Sequence, residues 1–311
     1  MAGGVVIREL RREDAPAVAR HELEIVPDQV LTPELVWQRA SRTIEREQLR
    51  TWVAEVDGTI AAYAHASFEW SVPTPGKGRF WIGVAPALRR RGIGRALYDE
   101  ITEYLRSRGA WRARTWVDDD PEGTRFVQQR GFERAGADLV SALDLRSETL
   151  PEPSGHVVPL GEVLDREEDL FRICAAGELD MPGDEPESAF TLEGFRQDDF
   201  GAPTLSAEGS FVALEGGRPV SLAFLTVDPE RRLAYNQMTA TLPEFRRRGL
   251  ALAVKAAAAR WASANGYDRI VTENDADNVA MLAVNRRLGY CPLYDQVSYV
   301  LQWERPPGER G

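Results

Sequence analysis

Two short runs of the sequence combine arginine with glycine in a way that suits the binding of an anion. The first run places three arginines before Gly92 and Gly94, and the second places three arginines before Gly249, 157 residues further on. Glycine lets a ligand approach the backbone closely, and arginine adds charged hydrogen-bond donors. The residues predicted to form the two binding turns are Val84, Arg89, Arg90, Arg91, Gly92, Ile93, Gly94 and Arg95 in the first, and Thr241, Arg246, Arg247, Arg248, Gly249, Leu250 and Ala251 in the second.

The segments around both runs predict a strand, a turn and a helix in that order. Residues 79–84 and 233–241 are strand-like, whereas residues 93–108 and 250–265 have helical periodicity. The first turn of a helix offers free backbone N–H groups and the positive end of the helix dipole, so the expected anion is a phosphate. The first run lacks the third glycine of a dinucleotide-binding turn, and neither run ends in the Gly-Lys-Ser/Thr of a nucleotide P-loop. Hydride transfer and nucleotide hydrolysis are therefore disfavoured.

A second pair of landmarks indicates that the chain contains a duplication. Gly131-Phe132 and Gly289-Tyr290 are 158 residues apart, which is nearly the spacing of the two turns. Two matches at one spacing predict two tandem domains, at residues 1–149 and 156–304. The segment between them, residues 150–155, has the proline and glycine content of a linker.

Each half is predicted to fold as a mixed sheet with helices packed on it, an α/β fold of the α+β type. Asp57-Gly58 and Gly216-Gly217 each join two strand-like runs into a hairpin. Thr32 followed by Pro33 predicts the start of an early helix. The other strand predictions are residues 5–10, 51–56, 60–67, 112–117 and 138–145 in the first half, and 210–214, 220–227, 269–272 and 296–303 in the second.

The composition limits the class of protein and its partners. The 311 residues are 43% hydrophobic, which predicts two domains with their own cores. The formal net charge of -11 disfavours nucleic acids and anionic membranes as partners. Because neither an apolar leader nor a run of about 18 apolar residues is present, we expect a cytoplasmic protein. Cys174 and Cys291 lack the spacing of a metal site, so free thiols and no metal are expected.

The two turns resemble the signature of a known family. The pattern Arg-x-x-Gly-x-Gly that begins at Arg89, and Arg-x-x-Gly-x-Ala that begins at Arg246, are similar to the pyrophosphate-binding signature of the GNAT superfamily of N-acetyltransferases. The resemblance covers nearly the whole chain and implies acetyl-CoA as the donor. It also implies two tandem GNAT domains, an architecture like that of the mycothiol synthases. Each domain would be a mostly antiparallel sheet flanked by helices, with its fourth and fifth strands splayed around the pantetheine arm.

The resemblance implies catalytic groups as well, of which only some can be assigned. The family holds the developing oxyanion with backbone N–H groups of the fourth strand, which match residues 82–84 and 239–241. The position of a frequent tyrosine acid is Val127 in the first half and Asn285 in the second, and neither side chain can donate that proton. Glu273 is the candidate base of the second half, with a solvated loop carboxylate as the alternative role.

The asparagines near Glu273 favour the second half as the catalytic one. Asn278 matches a family asparagine that contacts the cofactor, and Asn274 is predicted to contact it too. In the first half, the acids at residues 118–120 and at Glu122 occupy the corresponding loop, where capping of a helix or a solvated position is expected.

The resemblance thus implies direct transfer of an acetyl group, in a ternary complex, to the primary amine of a small molecule. Thirteen acidic residues against three arginines in residues 161–200 suit a rim that attracts amines, with a solubilising helix pair as the alternative. The missing acid and base motivate a second candidate function, a non-catalytic acyl-CoA-binding or regulatory protein. A monomer or a homodimer is expected.

Overall fold

The protein consists of two compact units. The computed structural model describes residues 4–42, 44–69, 74–146, 149–179 and 190–304, apart from the side chain of Asp198. The first unit comprises Met1–Gly136 together with Gln296–Gly311, and the second unit comprises Ala137–Asp295.

Strands and helices alternate along both units. In chain order the described elements are β1 Val6–Glu9, α1 Ala15–Ile25, α2 Pro33–Ser41, β2 Arg50–Val56, β3 Thr59–Phe68, β4 Lys77–Val84, α3 Ile93–Ser107, β5 Arg112–Asp118, α4 Pro121–Gln128, β6 Glu133–Asp144, β7 His156–Pro159, α5 Glu167–Glu178, α6 Leu192–Gly194, β8 Phe211–Glu215, β9 Arg218–Asp228, β10 Leu233–Thr241, α7 Leu250–Ala264, β11 Arg269–Asp275, α8 Val279–Leu288 and β12 Cys291–Gln302. Among the described helices, none is long and apolar enough to cross a membrane.

The sheet of the first unit runs in the order β1-β2-β3-β4-β5-β12. All neighbours are antiparallel except β4 and β5, which pair in parallel. Helices α3 and α4 pack on one face of this sheet, and α1 and α2 pack on the other. The start of α2 is as predicted, because the Thr32 hydroxyl accepts a hydrogen bond from the N–H of Leu35.

The sheet of the second unit has the matching order β6-β11-β10-β9-β8-β7. Here β10 and β11 form the parallel pair, and the other neighbours are antiparallel. The two sheets confirm the predicted α/β fold with mostly antiparallel strands flanked by helices.

The two units exchange their closing strands. Residues 296–302 of β12, at the end of the chain, pair with β5 of the first unit, and residues 138–144 of β6 pair with β11 of the second. Burial stabilises this arrangement, because Tyr299 packs into the core of the first unit and Leu143 into that of the second. The compact units therefore differ from the continuous segments 1–149 and 156–304, which stay a prediction about the repeat in the sequence.

The helix that follows each arginine turn packs on its sheet. In α3 the buried residues Ile93, Leu97, Ile101 and Leu105 recur at the spacing of one helix face. In α7 alanines take most of the buried positions. Both helices begin directly after the left-handed glycine of the turn, so the sheet fixes where the turn lies.

Lys255 is an exception among the small residues of α7. Only 2% of its surface is exposed, its Nζ lies 4.9 Å from the centre of the Tyr290 ring, and burial lowers its pKa to about 7. The unfolded chain, with the ordinary lysine pKa of 10.5, therefore binds more protons than the folded chain between those two values. The free energy of unfolding should rise with pH across this window.

We predict that Lys255→Met stabilises the protein at pH 7, by on the order of 2 kcal/mol, because the variant no longer buries an ammonium group. The advantage should shrink as the pH rises toward 10.5 and disappear above it, where both states of the wild type hold a neutral lysine. Urea unfolding of both proteins at pH 7 and pH 9.5 measures the difference between their free energies of unfolding. If this difference does not change with pH, the wild type does not bury a charge at Lys255.

Candidate functional site

A cavity opens in the first unit where β4 and β5 separate. The two strands pair only from Lys77 to Arg79 on β4 and from Arg112 to Arg114 on β5, and they diverge after that. The resulting cavity has a volume of about 630 Å³ and is bounded by the ends of both strands, by the first arginine turn and by α4. Its size suits a small ligand or the arm of a larger one.

The first arginine turn forms one end of this cavity. Gly92 has a φ of +86°, a conformation that glycine adopts without strain, and α3 begins at the next residue. The first N–H bonded inside the helix is that of Ala96, to the Gly92 carbonyl. Within the described part of the chain, the N–H groups of Ile93, Gly94 and Arg95 have no protein acceptor. These donors and the helix dipole fit a phosphate group.

Gly94 leaves room above the turn because it has no side chain, although a Cβ would also fit at this position. A Cβ at this position would lie 3.5 Å from Cγ2 of Val84 and 3.6 Å from the Phe126 ring, which are ordinary contacts. The corresponding residue of the second unit is Ala251, which shows that the turn tolerates this methyl group. A glycine or alanine at this point keeps the approach to the helix start open.

The first arginine of each run holds its turn together. Nε of Arg89 donates to the carbonyl of Val84 over 3.3 Å, and Nε of Arg246 donates to the carbonyl of Thr241 over 3.0 Å. Arg89 also contacts Asp120, with 3.0 Å between Nη1 and Oδ2. The Nε groups of these two arginines therefore hold the end of the strand against the turn, and a direct contact of Arg89 and Arg246 with the cofactor stays a prediction.

The remaining arginines lie at the surface of the turns. Arg90 and Arg247 share a left-handed backbone, with φ values of +65° and +61°, and both side chains are exposed. Arg91 is exposed outside the cavity lining, whereas the other seven residues predicted for the first turn all line the cavity. Arg248 donates to Glu215 over 3.2 Å.

The turn of the second unit repeats this backbone geometry. Gly249 has a φ of +81°, α7 starts at Leu250, and the first bonded N–H is that of Ala253, to the Gly249 carbonyl. The N–H groups of residues 250–252 have no acceptor among the described residues. Both turns thus offer the same set of open donors.

In each unit, further backbone N–H groups point into the gap between the two diverging parallel strands, because N–H directions alternate along a strand. The N–H of Ala85 bonds to Ala61 on β3, so the N–H groups of Ile82 and Val84 point to the side of β5. In the second unit the N–H of Leu242 bonds to Val220 on β9, which turns residues 239 and 241 toward β11. These are the backbone donors that the sequence predicted for an oxyanion.

Aromatic side chains form the wall of the first cavity on the face that carries α1. Trp81 and Trp116 line the cavity on this face, together with the aliphatic side chain of Ile25. Gly83 makes this possible, because a Cβ at Gly83 would lie 2.2 Å from the Trp81 indole. The carbonyl of Gly83 accepts a hydrogen bond from Nε2 of His21, whose pKa burial lowers. The sequence reasoning missed Gly83, which no motif marks.

The acids that follow β5 have two different roles. Asp120 caps α4, with its Oδ1 accepting from the N–H of Glu122 over 2.9 Å, as expected. Asp118 is neither a cap nor fully solvated, since it lines the cavity and accepts from Nε2 of Gln296 over 2.6 Å. Burial raises the pKa of Asp118, and the charges of Asp120 and Asp28 add to this effect. Sequence reasoning missed the special position of Asp118.

The residues predicted for the second unit are brought together at the end of β11. The hydroxyl of Tyr235 donates to Oε2 of Glu273 over 3.5 Å. The amide of Asn285 donates to Oδ1 of Asn274 over 2.6 Å, and Asn278 caps α8 by accepting from Met281 N–H. The cap leaves the amide nitrogen of Asn278 able to donate.

Neither position of the expected tyrosine acid holds a group that could replace it. Val127 is 4% exposed and belongs to the core of the first unit, and Asn285 is 2% exposed. Part of the predicted acidic rim, residues 180–189, lies outside the described residues. Several of its described acids pair with arginines, among them Glu167 with Arg196 over 2.7 Å and Asp169 with Arg172 over 3.2 Å.

Comparison with protein families gives two matching regions. The model of the acetyltransferase (GNAT) family matches residues 7–132 and 172–290, which together exceed half of the chain. Among curated proteins, the mycothiol acetyltransferase of Amycolatopsis mediterranei is 28% identical, over 79% of this chain and 82% of its own. The mycothiol acetyltransferase of Streptomyces griseus is 26% identical, over 79% and 78%.

A solved structure has the same tandem fold. It is a tandem GNAT protein from the clavulanic acid biosynthesis pathway, with 18% sequence identity and a TM-score of 0.72. The similarity covers 97% of this chain and 100% of the other. It therefore extends over both units.

Proposed function

The chain belongs to the acetyltransferase (GNAT) family, and from that premise we propose that it transfers an acetyl group from acetyl-CoA to the primary amine of a small molecule. The transfer is direct, within a ternary complex of protein, donor and amine. The observation that carries this proposal is the cavity of the first unit, which joins a turn with open backbone N–H groups to the gap between the diverging strands β4 and β5.

From the arginine turn to the strand ends, the residues of the cavity suit successively the diphosphate, the pantetheine arm and the acetyl group of acetyl-CoA. Open N–H groups at Ile93, Gly94 and Arg95 would hold the diphosphate, and the exposed Arg90 adds positive charge. The N–H groups of the β4 end lie along the splay, where they would fix the arm and stabilise charge on the reacting carbonyl. When bound, acetyl-CoA supplies an activated acetyl group. The protein supplies orientation and the exclusion of water.

The acceptor is the less defined partner. Because the two relatives are mycothiol acetyltransferases, an acceptor of the mycothiol type is the first class to test. Tyr235 beside Glu273 gives the second unit a carboxylate near the equivalent splay, which supports a role for Glu273 as a base there. A cytoplasmic location and a monomeric or dimeric state stay predictions.

We predict that the wild-type protein releases free CoA thiol when it is given acetyl-CoA and a panel of aliphatic, aromatic and amino-sugar amines. Thiol release measured with a chromogenic reagent gives the rates, and mass spectrometry identifies the acetylated amine. Direct transfer predicts intersecting lines in double-reciprocal plots against both substrates. Saturable binding of acetyl-CoA without turnover of any panel amine would contradict the proposal and support the non-catalytic function, which the residues at Val127 and Asn285 motivate.

A further inference from the structure

The carboxylate of Asp118 lies on the wall of the cavity of the first unit, at the end of β5 that has separated from β4. The strand has separated from β4 well before this point, since their last pair is Arg79 with Arg114. Ala113 and Val117 pack into the core on the side of α3, so alternation along β5 places Trp116 and Asp118 on the opposite face. Asp118 therefore shares its face with the aromatic wall of the cavity.

One carboxylate oxygen of Asp118 is held and the other is open. Oδ1 accepts a hydrogen bond from Nε2 of Gln296 over 2.6 Å, and these two residues are also direct partners in the pairing of β5 with β12. Oδ2 has no hydrogen-bond partner within the ranges that the structure describes, and it is not among the side-chain oxygens sealed from solvent. The side chain is thus fixed in orientation while one oxygen stays accessible to a ligand.

The charges around Asp118 favour a cationic ligand. Asp120 and Asp28 act on it with the same sign of charge. Four arginines also line the cavity, of which Arg89 is paired with Asp120 and lies 3.8 Å from Glu122. Arg95 pairs with Asp99, Arg130 donates to the carbonyl of Phe126, and Arg90 is exposed on the turn. No lysine or arginine forms an ion pair with Asp118 in the described part of the chain. An ammonium group in the cavity would supply the missing counter-charge.

We propose that Asp118 is the proton acceptor of the first unit, positioned by Gln296 from the exchanged strand, and that the first unit is itself catalytic. This inference rests on the proposed function and adds a catalytic residue and a cationic acceptor to it.

The proton balance of the step is simple. Asp118 takes one proton from the ammonium of the acceptor, which leaves a neutral amine. The amine nitrogen forms a bond to the acetyl carbon while the bond between that carbon and the CoA sulfur breaks. The second proton of the nitrogen goes to the leaving thiolate. The products are the amide, free CoA thiol and protonated Asp118, which returns its proton to solvent.

The corresponding acid of the second unit has a different environment. Asp275 faces Asp138 on the exchanged strand β6, where the first unit has Gln296 facing Asp118. Oδ1 of Asp275 accepts from the N–H of Asp277 over 2.7 Å and so closes the local turn. Asp118 therefore has an amide donor opposite it on the exchanged strand, whereas the residue opposite Asp275 is a second carboxylate.

The experiment uses the full chain and the panel amine that the wild type acetylates fastest. The second turn is first closed by Ala251→Glu, so that turnover comes from the first unit. In that background Asp118→Asn should lower kcat by about 100-fold or more, because it keeps the shape but cannot take a proton. The affinity for acetyl-CoA, measured by calorimetry, should not change. Glu100→Gln, which removes an exposed charge from α3, is the matched control and should keep the wild-type rate.

Gln296→Leu tests the positioning role through pH. The amide of Gln296 stabilises the charged form of Asp118 and so opposes the rise in its pKa. Its removal should raise that pKa further, and the acidic limb of the kcat/KM profile should move to higher pH, since the base must be ionised to act. Carboxyl ¹³C NMR of the ligand-free protein gives a second readout, because the signal absent from Asp118→Asn should titrate at higher pH in Gln296→Leu.

The possible results distinguish failure of the role of Asp118 from failure of the proposed acetyl transfer on which that role depends. No turnover of any amine by the wild type would overturn both. Turnover that survives Asp118→Asn with an unchanged pH profile would overturn the inference alone. Loss of turnover in Glu273→Gln with retention in Asp118→Asn would place the chemistry in the second unit and would also overturn the inference.

Discussion

Gly94→Glu should abolish acetyl-CoA binding by the first unit and leave the second unit able to bind. A side chain fits at Gly94, where a Cβ would make only ordinary contacts with Val84 and Phe126. The new carboxylate would lie at the open N–H groups of the helix start, where it would compete for these donors and repel a diphosphate. We expect the affinity of that site to fall by at least about 100-fold, or about 2.7 kcal/mol.

Ala251→Glu should have the same effect on the second unit alone. Calorimetric titration with acetyl-CoA measures both variants, as a loss of one site while the other keeps its affinity. Gly94→Gln and Ala251→Gln are the matched controls, because they introduce nearly the same volume without the charge. Equal loss in the glutamine and glutamate variants would show that volume alone closes the turn. Unchanged binding in both glutamate variants would contradict the assignment of the turns.

Removal of the last sixteen residues, Gln296–Gly311, should damage the first unit although they end the second half of the chain. This segment pairs with the whole of β5, and Tyr299 within it is 5% exposed in the core of the first unit. Loss of one large buried side chain alone costs about 3–5 kcal/mol. The first unit should therefore unfold or lose its ligand at a lower temperature than in the intact chain.

The second unit provides the internal control for this truncation. Ala137–Asp295 remains complete, including the strand of β6 that pairs with β11. Hydrogen exchange followed by mass spectrometry should show lost protection in β2 to β5 and retained protection in β8 to β11. Lost protection confined to residues 156–295 would instead support the continuous domains, 1–149 and 156–304, that the repeat predicts.

The sequence predicted the parts of the fold that depend on neighbouring residues. The two turns, the starts of α3 and α7 and the cap at Thr32 follow from glycine, proline and hydrophobic spacing within a few positions. The duplication made these local signals stronger, because each appears twice at nearly the same offset. The mixed sheet in each half followed from the order of such segments.

The exchange of closing strands could not be predicted in the same way. Residues 138–145 and 296–303 both have the pattern of a half-buried strand, and each could pair with the fifth strand of either half. Only the packed structure decides which core buries Tyr299 and which buries Leu143. The pairing is between residues more than 100 positions apart, where a local pattern carries no information.

The roles of individual charged residues also depended on distant contacts. Asp118 and Asp120 are two positions apart, yet one meets Gln296 at the cavity and the other caps α4. Arg89 and Arg246 match the expected signature, but their Nε groups point back to the strand that precedes the turn. Spacing identified the region of the site, whereas the direction of each side chain followed from strand ends and helix starts.

Calorimetric titration of the intact wild-type protein with acetyl-CoA tests the central claim most directly. Because both turns present the same open N–H groups beside a splayed pair of parallel strands, we predict saturable binding with two sites per chain. Absence of saturable binding at millimolar acetyl-CoA would contradict the assignment of the turns and the acetyl transfer built on it.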